Sequence, residues 1–186
     1  MIRTPFRLLV LALASALAAL VLALPAQAAA PYCGITWGSL DKPGGQVGGG
    51  TLANVRAGQH DCYDRVVIDI SGTQKLNAWT VGYVDQVRED ASDRPVTLAG
   101  GARLQIRLHG VNGDSYAVAH DAHGHDLLNV SGYRTLRQVA LTGSFENVTS
   151  FAVGVRARLP FRVLALTGIP GSSNGTRVVL DVAHAW

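Results

Sequence analysis

The stretch Gln59-His60-Asp61-Cys62-Tyr63-Asp64-Arg65 gathers imidazole, carboxylate, thiol, phenol and guanidinium groups into a few residues. It stands just ahead of a strongly alternating apolar run. A turn there would present His60, Asp61 and Arg65 to a polar ligand. The alternative is local: Asp61 and Asp64 bond their own turn backbone, as Asp commonly does, while Arg65 pairs with an acid and Tyr63 packs. A second concentration is His120-Asp121-Ala122-His123-Gly124-His125-Asp126. A metal needs ligands converging at about 2.0–2.2 Å. On an extended strand His123 and His125 would share a face, and a loop would bring His120 round. Without a fourth partner the same residues read equally as a polar loop, so no metal and no cofactor is assigned.

Hydrolase signatures are missing: there is no Gly-x-Ser-x-Gly, His-Glu-x-x-His, Ser-x-x-Lys or phosphate-cradling Gly-Lys-Ser/Thr. The acids are scattered singly rather than paired for general acid/base work. A Ser-His-Asp set gathered from distant strands is the one route left open. No catalytic residue is assigned, and the expectation is a protein that is not an enzyme.

Whatever chemistry these groups do is done outside the cytoplasm, if the N-terminus is read at face value. Arg3 and Arg7 precede an unbroken apolar run from Leu8 to Leu24, Pro25 breaks it, and Ala26-Gln27-Ala28 offers a small-residue cleavage site. Residues 1–28 are expected to be a signal peptide. A retained anchor is the alternative, since 17 apolar residues approach the roughly 20 that span a bilayer. Cleavage would lower Lys+Arg from 16 to 14 against 13 Asp+Glu and leave 158 of the 186 residues. So neutral a product gives no basis for nucleic-acid binding. The expectation is a secreted, extracellular or wall-associated chain without a membrane partner after cleavage, and its size fits one domain.

Cys33 and Cys62 are the two cysteines. An even count in an oxidising compartment favours a disulfide, here closing a loop of roughly 28 residues for about 3 kcal/mol. A catalytic or metal-binding thiol is the competing role. Residues 29–50 read as an arm or linker. Residues 41–50 are too rich in Gly for a helix or a packed strand, with Trp37 available to dock on the domain.

From Thr51 onward, short β-branched and aromatic segments alternate with Gly, Asn, Asp and Pro. Arg103-Leu104-Gln105-Ile106-Arg107-Leu108 shows the period of two most clearly. Strands are predicted there and at 51–56, 64–71, 79–85, 115–119, 135–142, 150–156, 161–167 and 176–183. The pattern suits an all-β, two-sheet antiparallel β-sandwich over residues 51–186. One echo recurs: Arg65-Val66-Val67-Ile68-Asp69-Ile70 and Arg177-Val178-Val179-Leu180-Asp181-Val182. It reads either as chance similarity of alternating strands or as a pseudo-symmetric sandwich whose halves contribute one such strand each.

Several of these segments carry a resemblance. Gln59-His60-Asp61, Asp64-Arg65-Val66-Val67, Tyr83-Val84-Asp85, Gly143-Ser144-Phe145-Glu146, Pro160-Phe161-Arg162-Val163 and Arg177 through His184 occur in an order that resembles the AMIN-like domain of secreted actinobacterial proteins, over about residues 51–184. The resemblance implies a sandwich of two similar sheets and a non-catalytic module that binds cell-wall peptidoglycan or a related glycan or peptide. An interaction module or inhibitor acting on another secreted protein is the alternative, and a metal-dependent hydrolase built on His120, His123 and His125 the last. A glycan site uses an aromatic platform with a few convergent polar groups. Trp79, Tyr83 and Tyr133 are the platform candidates, with His60, Asp61 and Arg65 as the polar ones.

Overall fold

A computed structural model describes residues 30–45, 49–72, 78–119 and 126–186. The signal-peptide segment and His120, His123 and His125 lie outside the described residues. Alternation of apolar and polar side chains builds two five-stranded sheets. The first runs β1 (Lys42–Gly44), β4 (Trp79–Tyr83), β7 (Ala102–His109), β10 (Val148–Val155), β9 (Leu136–Phe145) in spatial order. The second runs β11 (Phe161–Ile169), β12 (Ser172–Ala183), β3 (Tyr63–Ser71), β2 (Gly50–Gln59), β8 (Val111–Asn112). All pairings are antiparallel except the two-residue β2/β8 contact. A small hairpin, β5 (Val87–Arg88) with β6 (Pro95–Val96), stands apart.

The sheets face one another across a shared core. Leu52, Val55, Val66, Ile68, Ile70, Val178, Leu180 and Val182 come from the second sheet, and Val81, Leu104, Ile106, Leu108, Phe151 and Val153 from the first. Burial at every second position drives this closure, each such side chain stabilising by about 1.5–3 kcal/mol relative to exposure. The all-β sandwich is therefore as expected. The outer face of the first sheet is partly covered, because Val84, Val87, Val96 and Leu98 pack on Ala140 and Ala152.

Two local expectations are corrected. Residues 115–119 are not a strand but part of α1 (Asp114–Ala119). The Asn112 side chain accepts the Asp114 backbone N–H at 3.0 Å, an Asx turn that leads into the helix, whose first bond runs from Ala117 N–H to the Gly113 carbonyl. Over so short a run, buried Tyr116 and Ala117 beside exposed Val118 do not separate a helical from an alternating pattern. The Gly-rich arm does hold a packed strand: Lys42, Pro43 and Gly44 pair with Val81, Thr80 and Trp79. The missing Cβ is the reason, since the Trp79 ring occupies the space a side chain at Gly44 would need, and the Asp41 carboxylate does the same over Gly82.

The arm spans both sheets. Cys33 and Cys62 form the expected disulfide, with Cα atoms 6.1 Å apart, and this ties the arm to the β2–β3 turn. Phe161 at the start of β11 donates its N–H to the Gly38 carbonyl at 2.9 Å, and Arg158 donates to Ser39. Trp37 is thereby held over one end of the second sheet.

Candidate functional site

In the second sheet the register Arg162↔Asp181, Asp181↔Arg65 and Arg65↔Gly58 aligns one row across four strands. Val66, Val178 and their alternates point into the core, so Arg65, Arg162 and Asp181 point outward. Asp181 is fully buried all the same, beneath its partners. Arg65 donates Nε and Nη2 to its two oxygens at 2.6 and 2.9 Å, and Arg162 adds Nε at 2.8 Å. One carboxylate thus anchors two guanidiniums, in the forked geometry that Arg makes and Lys cannot. The hydrogen bond to Asp181 holds the Arg65 guanidinium above its ordinary pKa, against the opposing effect of burial.

Aromatic rings frame the pair. The Arg162 guanidinium lies 4.3 Å from the Trp37 ring and 5.4 Å from that of Tyr63. Arg65 also lies 5.4 Å from Tyr63. His60 stacks on Tyr63 at 4.5 Å, and Trp37 meets Tyr63 edge-on at 5.6 Å. Cation–π contacts of this kind hold a guanidinium flat while its N–H edge stays available. Two rows further along, Arg56 grips buried Asp69 through Nε and Nη2 at 2.9 and 3.1 Å. That hydrogen bond raises the Arg56 pKa.

Of the candidates drawn from sequence, His60 and Arg65 both meet the Tyr63 ring here. Asp61 is exposed in the adjoining turn, where its carbonyl receives Arg134 Nη1 and faces His184 Nδ1. The aromatic candidates are elsewhere. Trp79 and Tyr83 are on β4 in the first sheet and Tyr133 precedes β9, and all three pack against the core. Tyr83 is bound up in structure: its hydroxyl donates to the Leu159 carbonyl at 2.8 Å and accepts the Leu159 N–H at 2.9 Å. Burial pushes its pKa up.

Trp37, Tyr63, Arg162 and Asp181 are the residues that the expected site lacked. The echo of Arg65–Asp69 in Arg177–Asp181 was the signal for Asp181. Its strands do not belong to separate halves; β3 and β12 are antiparallel neighbours in one sheet, so that Arg65 meets Asp181 and Arg177 stands opposite Asp69.

A histidine–carboxylate pair also occurs inside the sandwich. His184 Nε2 is 3.1 Å from Asp64 Oδ1, with side-chain exposures of 6% and 0%. Asp64 Oδ2 accepts the N–H groups of Thr135 and Leu136 at 2.6 and 3.0 Å. Every atom of the pair that bonds is engaged in tying β3 and the C-terminus to the start of β9, which is a structural task. Among the described residues no group of His, Cys, Asp and Glu is arranged to hold a metal, and no helix is long and apolar enough to cross a membrane.

No curated protein matches the chain. The family model of the AMIN-like domain matches residues 50–184, a span that takes in both sheets apart from β1 and includes Tyr63, Arg65, Arg162 and Asp181 but not Trp37. The chain belongs to the AMIN-like domain family.

Proposed function

We propose that this protein is an exported, non-catalytic module that associates with cell-wall peptidoglycan through the outer face of its second sheet. The family is one of modules associated with peptidoglycan and localisation, and the face supplies what a polymer-binding surface needs. The observation that carries the proposal is the row Trp37, Arg162, Tyr63, Arg65 over buried Asp181. Rings offer flat apolar area to sugar faces, and oriented N–H groups supply hydrogen bonds. A surface of this kind suits an extended glycan or peptide better than a small substrate that must be enclosed.

The test is co-sedimentation of the exported protein with purified peptidoglycan over a salt series. Retention should be strongest at low salt and weaken as salt screens the guanidiniums, and Trp37→Ala should lower it. No retention at low salt would sink the proposal. Docking on another secreted protein is the second option, and one observation favours it. β11 is an edge strand of the second sheet with Leu166 exposed, and an open edge accepts a partner strand. Cross-linking in culture supernatant to one protein, with no wall association, would select it.

A further inference from the structure

On the outward face of the second sheet the cations and anions lie at different depths. Arg56, Arg65, Arg162 and Arg177 stand on it against Asp69 and Asp181, an excess of two cations. Asp69 and Asp181 are 2% and 0% exposed, whereas Arg56, Arg65 and Arg162 keep 41%, 25% and 35% of their side-chain surface. The negative charge is buried and the positive charge is at the surface. Each carboxylate takes the Nε edge of its arginine. Nη1 of Arg56 and Arg65 and both terminal nitrogens of Arg162 are left unengaged among the described residues.

The row also has a gap. Gly58 stands beside Arg65 in register, and where its Cβ would be, the nearest atom is Nε2 of His60 at 4.0 Å. The β2 end of the row is therefore open, while the Arg65 and Arg162 guanidiniums converge on Asp181 from β3 and β11. Arg56 is two residues from Gly58 on β2. Guanidiniums already oriented by buried acids lose little side-chain entropy when they bind, and their planar fork matches an oxyanion.

Resting on the peptidoglycan proposal above, we infer that the Arg65–Arg162 pair over Asp181 binds an oxyanion of the wall polymer, and that this oxyanion is a carboxylate. Arg65 and Arg162 hold it, and the rings of Tyr63 and Trp37 support the adjoining sugar or peptide. A carboxylate fits one guanidinium edge, and the two nearest guanidiniums offer one free edge each, since Asp181 occupies the others. Phosphate of wall-attached polymers shares the oxyanion chemistry, and the experiment separates the two.

Three wall preparations serve as probes: intact walls, walls stripped of phosphate polymers with hydrogen fluoride, and stripped sacculi whose carboxyls are amidated by carbodiimide and ethanolamine. The exported protein should bind intact and stripped walls alike and lose about tenfold or more in affinity on amidated sacculi, the scale of one charge-assisted hydrogen bond. Gly58→Glu places a competing carboxylate in an open position, so it should cut retention on stripped sacculi by a similar factor without moving the thermal midpoint. Arg162→Gln should do the same even if its own midpoint falls. Equal binding to stripped and amidated sacculi overturns the carboxylate site while leaving wall association intact. Binding lost on phosphate stripping assigns the oxyanion to phosphate and overturns it too. No binding to any of the three overturns the wall proposal itself.

Discussion

Asp64 tests the reasoning about the interior most sharply. Its carboxylate has no exposed surface, and it serves three donors: the N–H groups of Thr135 and Leu136 on Oδ2, and His184 Nε2 on Oδ1. The other imidazole nitrogen faces the Asp61 carbonyl at 3.2 Å. Asp64→Ala orphans two buried backbone donors and one ring donor, each worth about 1–3 kcal/mol. It also removes a carboxylate whose burial was itself unfavourable. The net expectation is a loss of about 3–5 kcal/mol, the scale for breaking a buried pair and a large part of a typical domain stability of about 5–15 kcal/mol. Asp64→Asn differs in kind. Its carbonyl keeps both backbone donors and its amide still faces the His184 ring, leaving a cost of about 1–2 kcal/mol. Urea unfolding of the oxidised protein, read as midpoint and slope, measures both. Equal losses for the two variants, or a loss under about 1 kcal/mol for Asp64→Ala, would refute the account.

Two further outcomes follow from the same geometry. Tyr83→Phe removes a hydroxyl that both donates to and accepts from Leu159, and should cost about 1–3 kcal/mol by the scale for unpaired buried groups. Burial raises the Tyr83 pKa. Its stabilising contribution is therefore complete below about pH 10, the unfolded value, and is lost as pH rises through the higher folded value. The alkaline fall in thermal midpoint should be shallower in the variant, though not abolished, because burial raises Tyr116 in the same direction; an unchanged fall would count against it. Opening Cys33–Cys62 by paired Ser substitution releases a crosslink of sequence separation 29, and should lower stability by about 3–4 kcal/mol on the chain-entropy scale. It should also weaken wall retention, since the crosslink helps hold Trp37 against Arg162; retention unaffected by the loss would remove Trp37 from the site.

Local features were legible wherever neighbours in sequence are neighbours in space. His60 and Arg65 were found together because one hairpin, β2–β3, carries both. Trp79, Tyr83 and Tyr133 were read as a platform from residue type alone, and type does not say which side of a strand meets the core. Arg162 and Asp181 were passed over as ordinary strand polar residues, because alternation shows that they face away from the core and not which strands lie beside them.

The sequence by itself determined the all-β class, the inward set of every second residue, the two-cysteine crosslink and the absence of familiar catalytic motifs. These follow from side-chain chemistry and a period of two, both of which are local. Only the tertiary structure decided that β3 lies between β2 and β12, with β11 at the edge. That order, fixed by long-range pairing and closure over a shared core, places Arg65 and Arg162 on one buried carboxylate and lays Trp37 against Arg162.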